Sequence, residues 1–278
     1  MKDYDLIDSG DGRRLERFGN YLLDRPDPEV LWQKNLPENE WQKADAVFRD
    51  HWITKTDMPE RWELSYNDIK FWARLAPFKH TGVFPEQASQ WDYIVKSLKS
   101  KNANVLNLFA YTGIASLFAA KAGAKVTHLD ASRPAITWAN ENRELNGMED
   151  DPIRWIIDDA ITFTEREIKR GVKYDAIMMD PPVYGHGPAG EIWDFNKDFP
   201  RLLKNCKQII SDKPLFVLVN AYAVSSSSIS LANTLQGYFG KDGGSIENGE
   251  LTLKEKSGGR LLSTGIWAKW CSTSREIL

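Results

Sequence analysis

Between residues 104 and 219 the chain repeats one pattern: a short apolar run, an amphipathic stretch of helical period, then another apolar run. The runs are 104–109, 125–129, 153–157, 174–179 and 215–219. The helical stretches are 114–122, 134–146, 160–169, 197–210 and, after the last run, 227–238. Continuously apolar runs linked through helices predict a parallel sheet with both faces covered. A helix over 86–98 precedes them, with Trp91, Ile94, Val95 and Leu98 on one face. Two β-runs, 250–256 and 260–270, follow and are joined by Ser257-Gly258-Gly259, a hairpin signal. The expected fold is α/β: a seven-stranded, mostly parallel, Rossmann-like sheet ending in an antiparallel hairpin.

The first 80 residues have a different texture. They hold Trp32, Trp41, Trp52, Trp62 and Trp72, five of the 11 tryptophans, and no long apolar strand. Arg25-Pro26-Asp27-Pro28 reads as a turn, because each proline fixes its own φ and restricts the residue before it. Two domains are expected: a small α+β N-terminal domain over 1–80 and the sheet domain over 81–278. The indoles fill the small domain's core, or they form an aromatic surface facing substrate.

At 278 residues and 42% apolar, the chain can bury a full core. No apolar run approaches the roughly 18 residues of a membrane span, and the polar, acidic start is unlike a secretory signal. Cys206 and Cys271 have neither framework nor metal spacing. A cytoplasmic protein without disulfide, metal or membrane partner is expected. Net charge is −3; residues 1–80 carry 13 Lys+Arg against 16 Asp+Glu, leaving 23 of each sign beyond them. Composition therefore announces no basic surface for nucleic acid.

In open α/β sheets ligands sit beyond the carboxyl ends of the strands, near the switch in strand order. Phe109-Ala110-Tyr111-Thr112-Gly113 follows the first run and has one glycine, unlike the repeated-glycine turn that presses on a pyrophosphate. The helix opening after Gly113 offers free N–H groups to a carboxylate. Asp130, followed by Ala131 and Ser132, ends the second run; its carboxylate either accepts two ribose hydroxyls or caps the next helix. Asp158-Asp159-Ala160 ends the third. One of these carboxylates suits an adenine amino group, with Asp159 preferred and Asp158 the alternative, and a helix cap is again the competing role. Asp180-Pro181-Pro182-Val183-Tyr184 ends the fourth. Its stiffened carbonyls can point at an amine, and Tyr184 can stack on a planar base. Residues 184–190 form a Gly-rich stretch suited to a lid.

This order of strand-end features resembles the S-adenosylmethionine-dependent class I methyltransferases. Residues 106–113 with Asp180-Pro181-Pro182-x-Tyr184 are most similar to the bacterial large-subunit ribosomal RNA methyltransferases that make 5-methylcytosine and 7-methylguanine. Lys79-His80-Thr81-Gly82-Val83-Phe84-Pro85-Glu86-Gln87 resembles the segment that precedes their methyltransferase domain. The resemblance spans roughly residues 78–270. It implies S-adenosyl-L-methionine as cofactor, with Phe84 and Gln87 closing its pocket, and ribosomal RNA as substrate. It also implies a small central domain before residue 80 in place of a complete N-terminal RNA-binding module.

The pattern departs from the 5-methylcytosine members in one respect. They place a nucleophilic cysteine after the fifth strand, where this chain reads Val219-Asn220-Ala221-Tyr222. The expected reaction is therefore direct methyl transfer to a nitrogen, oriented by Asp180 and the Pro181 carbonyl, with His186 the one candidate base. His51 and His128 read as structural, and Ser225-Ser226-Ser227-Ser228 as a helix entry. Competing readings are transfer to a protein or small-molecule nitrogen, a nicotinamide oxidoreductase, and a non-catalytic RNA- or ribosome-associated module.

Overall fold

A computed structural model describes residues 1–99, 102–148 and 153–272. The chain packs as two compact units, and neither is one run of sequence. The first comprises Met1–Ser89, Glu144–Gly147 and Leu251–Thr264; the second comprises Gln90–Arg143, Met148–Glu250 and Gly265–Leu278.

The first unit is almost entirely β. Strands β1 (Tyr4–Gly10), β2 (Arg13–Phe18), β3 (Tyr21–Pro26), β4 (Ala46–Phe48) and β5 (Trp52–Thr54) form one sheet in that order. β6 (Trp62–Tyr66) and β7 (Ile69–Ala73) pair separately. The α-helix that lies wholly within it, α1 (Glu38–Trp41), is a single turn. The strands were hard to see in the sequence because ionic residues occupy inward positions. Glu16 is fully buried and accepts from Tyr4 Oη at 2.8 Å and from Arg25 Nε at 2.6 Å. Burial opposes its ionisation, but Arg14 and Arg25 outweigh burial and hold its carboxyl below the usual range. Trp41 and Trp62 are buried as core, whereas Trp32, Trp52 and Trp72 are partly exposed.

The tip of the C-terminal hairpin belongs to this unit. Glu255, buried, accepts from Ser9 N at 2.8 Å, Ser9 Oγ at 2.6 Å and Asn35 Nδ2 at 3.0 Å. Those partners lie some 220 to 246 residues away in sequence, so no local pattern announces them.

The second unit contains α2 (Ala88–Leu98, from Gln90 on), β8 (Asn104–Leu108), α3 (Ile114–Lys121), β9 (Lys125–Asp130) and α4 (Arg133–Leu145, to Arg143). It continues with β10 (Ile153–Ile157), α5 (Ala160–Arg170), β11 (Ala176–Met179), β12 (Tyr184–His186), β13 (Ile192–Asp194), α6 (Phe195–Ile209), β14 (Phe216–Ala221) and α7 (Ser228–Phe239). β15 (Ser245–Lys254) and β16 (Leu261–Cys271) complete the seven-stranded sheet, whose order is β10-β9-β8-β11-β14-β16-β15. Pairing is parallel from β10 to β14, and β16 runs antiparallel to β14.

The helices start where capping chemistry allows. Asp159 accepts from Thr162 N at the head of α5, Asp194 from Lys197 N at α6, and Ser227 from Ser230 N at α7. α6 then presents Phe195, Phe199, Leu202, Leu203, Cys206 and Ile209 to the core at helical spacing. The chain winds outward from β8 through β9 to β10, then returns to the other side of β8 with β11. The switch in strand order therefore lies between β8 and β11, at the carboxyl ends that carry 109–113 and 180–184.

Candidate active site

The turn after β8 bends sharply. Phe109, Tyr111 and Gly113 all have positive φ, at 54°, 50° and 80°. Left-handed backbone in two aromatic residues costs on the order of 1–3 kcal/mol each and persists only where surroundings enforce it. Here the Ala110 N–H donates to the Leu129 carbonyl at 3.0 Å and the Gly113 N–H to the Ala110 carbonyl at 3.0 Å. Asn142 Nδ2 donates to the Thr112 carbonyl at 2.9 Å. A Cβ on Gly113 would lie 2.8 Å from Ala139 Cβ, so glycine is required on grounds of space as well as φ.

Asp130 faces this turn from the end of β9. Its Oδ2 accepts from Tyr111 N and its Oδ1 from Ser132 N, both at 2.8 Å. Burial pushes its carboxyl above the ordinary range, with the two N–H bonds working against that shift. Asp130 is not the cap of α4: Ser132 Oγ takes that place, accepting from Ala135 N at 3.3 Å, with Ala131 between them. Each carboxylate oxygen has accepted one N–H and has a second lone pair, which suits a pair of hydroxyls.

The tandem aspartates divide their work. Asp159 Oδ1 caps α5 through Thr162 N at 2.8 Å, the competing role foreseen for it. Asp158 accepts from the Asp159 N–H at 2.9 Å and pairs with Arg166, and its own N–H donates to the Asp130 carbonyl at 3.3 Å. Ala160 is buried and opens the helix. The capping duty falls on the aspartate preferred for adenine, which leaves Asp158 nearer in bonding to Asp130.

At the end of β11 the Asp180 N–H donates to the Leu108 carbonyl at 3.3 Å, tying this strand end to that of β8. Pro181 is buried and Tyr184 is 54% exposed. The stretch 184–190, read from its glycines as a lid, is half of a paired hairpin: Tyr184 opposes Asp194 and His186 opposes Ile192. Trp193 anchors it, donating from Nε1 to the Pro182 carbonyl at 2.7 Å, with its ring 4.8 Å from that of Phe109. His186 is exposed, edge-on to Tyr184 at 5.3 Å. Trp193 escaped sequence reasoning because it lies beyond the Gly-rich stretch, with no motif around it.

Phe84 and Gln87 belong to the first unit. Phe84 precedes a 3₁₀ turn, Pro85–Gln87, in which the Gln87 N–H donates to the Phe84 carbonyl at 3.0 Å. The Phe84 ring lies 5.5 Å from His80, whose imidazole burial pushes down to about 4.

Both thiols lie away from these strand ends. Cys206 is fully buried in α6, and burial pushes its thiol up to about 12. Cys271 pairs with Phe216, at the opposite end of β14 from Asn220, and lies 3.0 Å from Tyr93 Oη. Asn220 itself is buried and accepts from Gln90 Nε2 at 2.7 Å. Among the described residues no group of three or more His, Cys, Asp or Glu could hold a metal ion.

A glycine-tight turn, a helix N-terminus with no side-chain cap bond, and a carboxylate presented by two backbone N–H groups fit a ligand carrying a carboxylate and a ribose. A family model described as S-adenosylmethionine-dependent methyltransferase matches residues 40–234. The chain belongs to this family. S-adenosyl-L-methionine is thus its cofactor. The methyltransferase is 41% identical to the SAM-dependent methyltransferase from Agrobacterium tumefaciens, with a TM-score of 0.94 over 97% of this chain and 90% of that one. It is 36% identical over 145 residues to the ribosomal RNA large subunit methyltransferase K/L of Pseudoalteromonas atlantica, covering 51% of this chain and 20% of that protein. The chain thus spans about a fifth of the length of that curated relative. The putative methyltransferase SMU.776, solved in complex with SAH, shares the fold at 17% identity and a TM-score of 0.70, over 93% of this chain and 71% of that one. Among the described residues of the methyltransferase, no helix is long and apolar enough to cross a membrane.

Proposed function

We propose that the methyltransferase transfers a methyl group directly to a nitrogen of an RNA base, with ribosomal RNA the leading substrate. The observation that carries the choice of atom is the placement of Asp180-Pro181-Pro182 and exposed Tyr184 at the end of β11, with both thiols elsewhere. Methylating a pyrimidine carbon requires covalent activation of the ring, and no thiol is positioned for it. Similarity to the ribosomal RNA large subunit methyltransferases K/L supports RNA as the substrate class.

In this reading residues 109–113 and the head of α3 hold the methionine end, Asp130 the ribose, and Asp158, Asp159 and Ala160 the adenine. The cofactor's sulfonium supplies an electrophilic methyl group, so the protein's task is alignment. The Pro182 carbonyl is already committed to Trp193, so the Pro181 carbonyl and Asp180 are the groups that orient the nitrogen. Tyr184 stacks on the base. A neutral nitrogen needs no strong base, consistent with His186 lying exposed.

The test is transfer of a tritiated methyl group to separate RNA fractions, to protein and to small molecules, with the methylated nucleoside identified by mass spectrometry. An N-methylated base is expected. A C5-methylated pyrimidine would overturn the choice of atom, and label confined to protein or small molecules would overturn RNA.

A further inference from the structure

Gln90 on α2 and Asn220 on β14 form a buried amide pair. Gln90 is 7% exposed and Asn220 6%, and Gln90 Nε2 donates to Asn220 Oδ1 at 2.7 Å. A primary amide carries two N–H groups and an oxygen with two lone pairs, so this bond leaves half of each amide unused. Asn220 Nδ2 and Gln90 Oε1 bond to no described residue, and neither atom is sealed from solvent. Turning both amides over exchanges their roles and still leaves one open N–H and one open carbonyl. Packing holds the two side chains in place, so the open atoms are preorganised for a partner.

The sheet register places this pair beside Asp180. Met179 pairs with Val219 in the parallel ladder of β11 and β14, so Asp180 and Asn220 follow at the same level on adjacent strands. Ile177, Met179, Val217 and Val219 lie in one core cluster, on one face of the sheet. Alternation therefore assigns Asp180 and Asn220 together to the other face, where α2 brings Gln90. β14 lies on the far side of β11 from β8 and β9, whose ends carry 109–113 and Asp130. The pair thus stands away from the ribose ligand and next to the group assigned to the nitrogen. We propose that Gln90 and Asn220 read the substrate base. Together they offer one N–H and one carbonyl to a nucleobase edge on which an acceptor and a donor stand side by side, as a ring nitrogen and an amino group do. The inference rests on the proposed transfer to an RNA base, and the experiment separates the two.

The experiment measures transfer of a tritiated methyl group from S-adenosyl-L-methionine to an unmodified transcript of large-subunit ribosomal RNA by the full chain. Calorimetry follows cofactor binding, and a melting curve checks the folding of each variant. Asn220→Ala and Gln90→Leu should each lower kcat/KM for the RNA about tenfold, the value of one hydrogen bond. The double variant should lose little more than either single one, because each amide holds the other in place. Asn220→Asp keeps the shape and an acceptor for Gln90 but removes the open N–H, and should lose about a hundredfold. Cofactor affinity should stay within about twofold of wild type throughout, since the pair lies beyond β11 from Asp130. Wild-type kcat/KM in folded Asn220→Asp would overturn the inference, leaving the pair a structural tie. Cofactor affinity that falls in step with transfer would overturn it as well, by moving the pair to the cofactor. A wild-type protein that labels no RNA would remove the proposed function and this inference with it. If Asn220→Ala or Gln90→Leu does not fold, the nearly isosteric Asn220→Asp decides by itself.

Discussion

Trp193 holds the Pro182 carbonyl: its indole Nε1 donates to that oxygen at 2.7 Å, and its ring packs 4.8 Å from Phe109. One side chain thus links the segment ending β11 to the turn ending β8, across the switch in strand order. Trp193→Phe keeps an aromatic ring and deletes the N–H. The expected result is a stability loss of about 1 kcal/mol and a methyl-transfer rate reduced about tenfold, with cofactor affinity within twofold of wild type. Single-turnover transfer measured beside a binding titration checks the split. Equal losses in both would show that Trp193 acts through the turn at 109–113 alone.

Gly113 admits no side chain. Its φ is 80° and an added Cβ would meet Ala139 Cβ at 2.8 Å. Gly113→Ala should cost about 2–4 kcal/mol, from left-handed backbone together with overpacking, and should abolish cofactor binding. Chemical denaturation and calorimetry read the two effects separately.

The buried histidine makes the second unit acid-sensitive. The folded pKa of His128 lies near 3, below the unfolded value of about 6.5. Its neutral form therefore favours the folded state fully above pH 6.5, and that contribution is lost as pH falls from there toward the folded value. The slope is about 1.4 kcal/mol per pH unit within this window. Urea midpoints at pH 7, 6 and 5 should fall accordingly, and His128→Phe should fall less steeply. Parallel slopes for the two proteins would exclude His128 as the source.

Glu255 is the polar centre of the first unit's hairpin contact, accepting from Ser9 N, Ser9 Oγ and Asn35 Nδ2 while buried. Glu255→Ala should destabilise this unit by about 3–5 kcal/mol, because several donors lose their acceptor together. Limited proteolysis should then cut within residues 1–89 at lower denaturant than in wild type. Unchanged protection there would show that the hairpin tip does not stabilise the unit.

The α/β sheet was legible because buried parallel strands and amphipathic helices write their period locally. 104–109 and 125–129 became β8 and β9 with ends shifted by a residue at most. The turn at 109–113, Asp130 and the Asp180-Pro181-Pro182 segment were legible for the same reason: each follows directly from where a strand stops. The first unit was much less so. Asp8, Glu16, Arg14 and Arg25 fill inward positions with charge; Glu16 accepts from Arg25, Asp8 accepts from the Leu36 N–H, and Arg14 is offset by its ion pair with Glu16.

The sequence by itself determined where the strands of the sheet end and in what order they succeed one another, since short-range hydrophobic order fixes the elements. Tertiary structure alone decided which of two adjacent aspartates caps α5 and which pairs with Arg166. It also decided that a Gly-rich stretch pairs into a hairpin around Trp193, and that residues 251–264 join the first unit. Those outcomes depend on side chains distant in sequence or on competing local bonds of similar energy, and only packing in three dimensions selects among them.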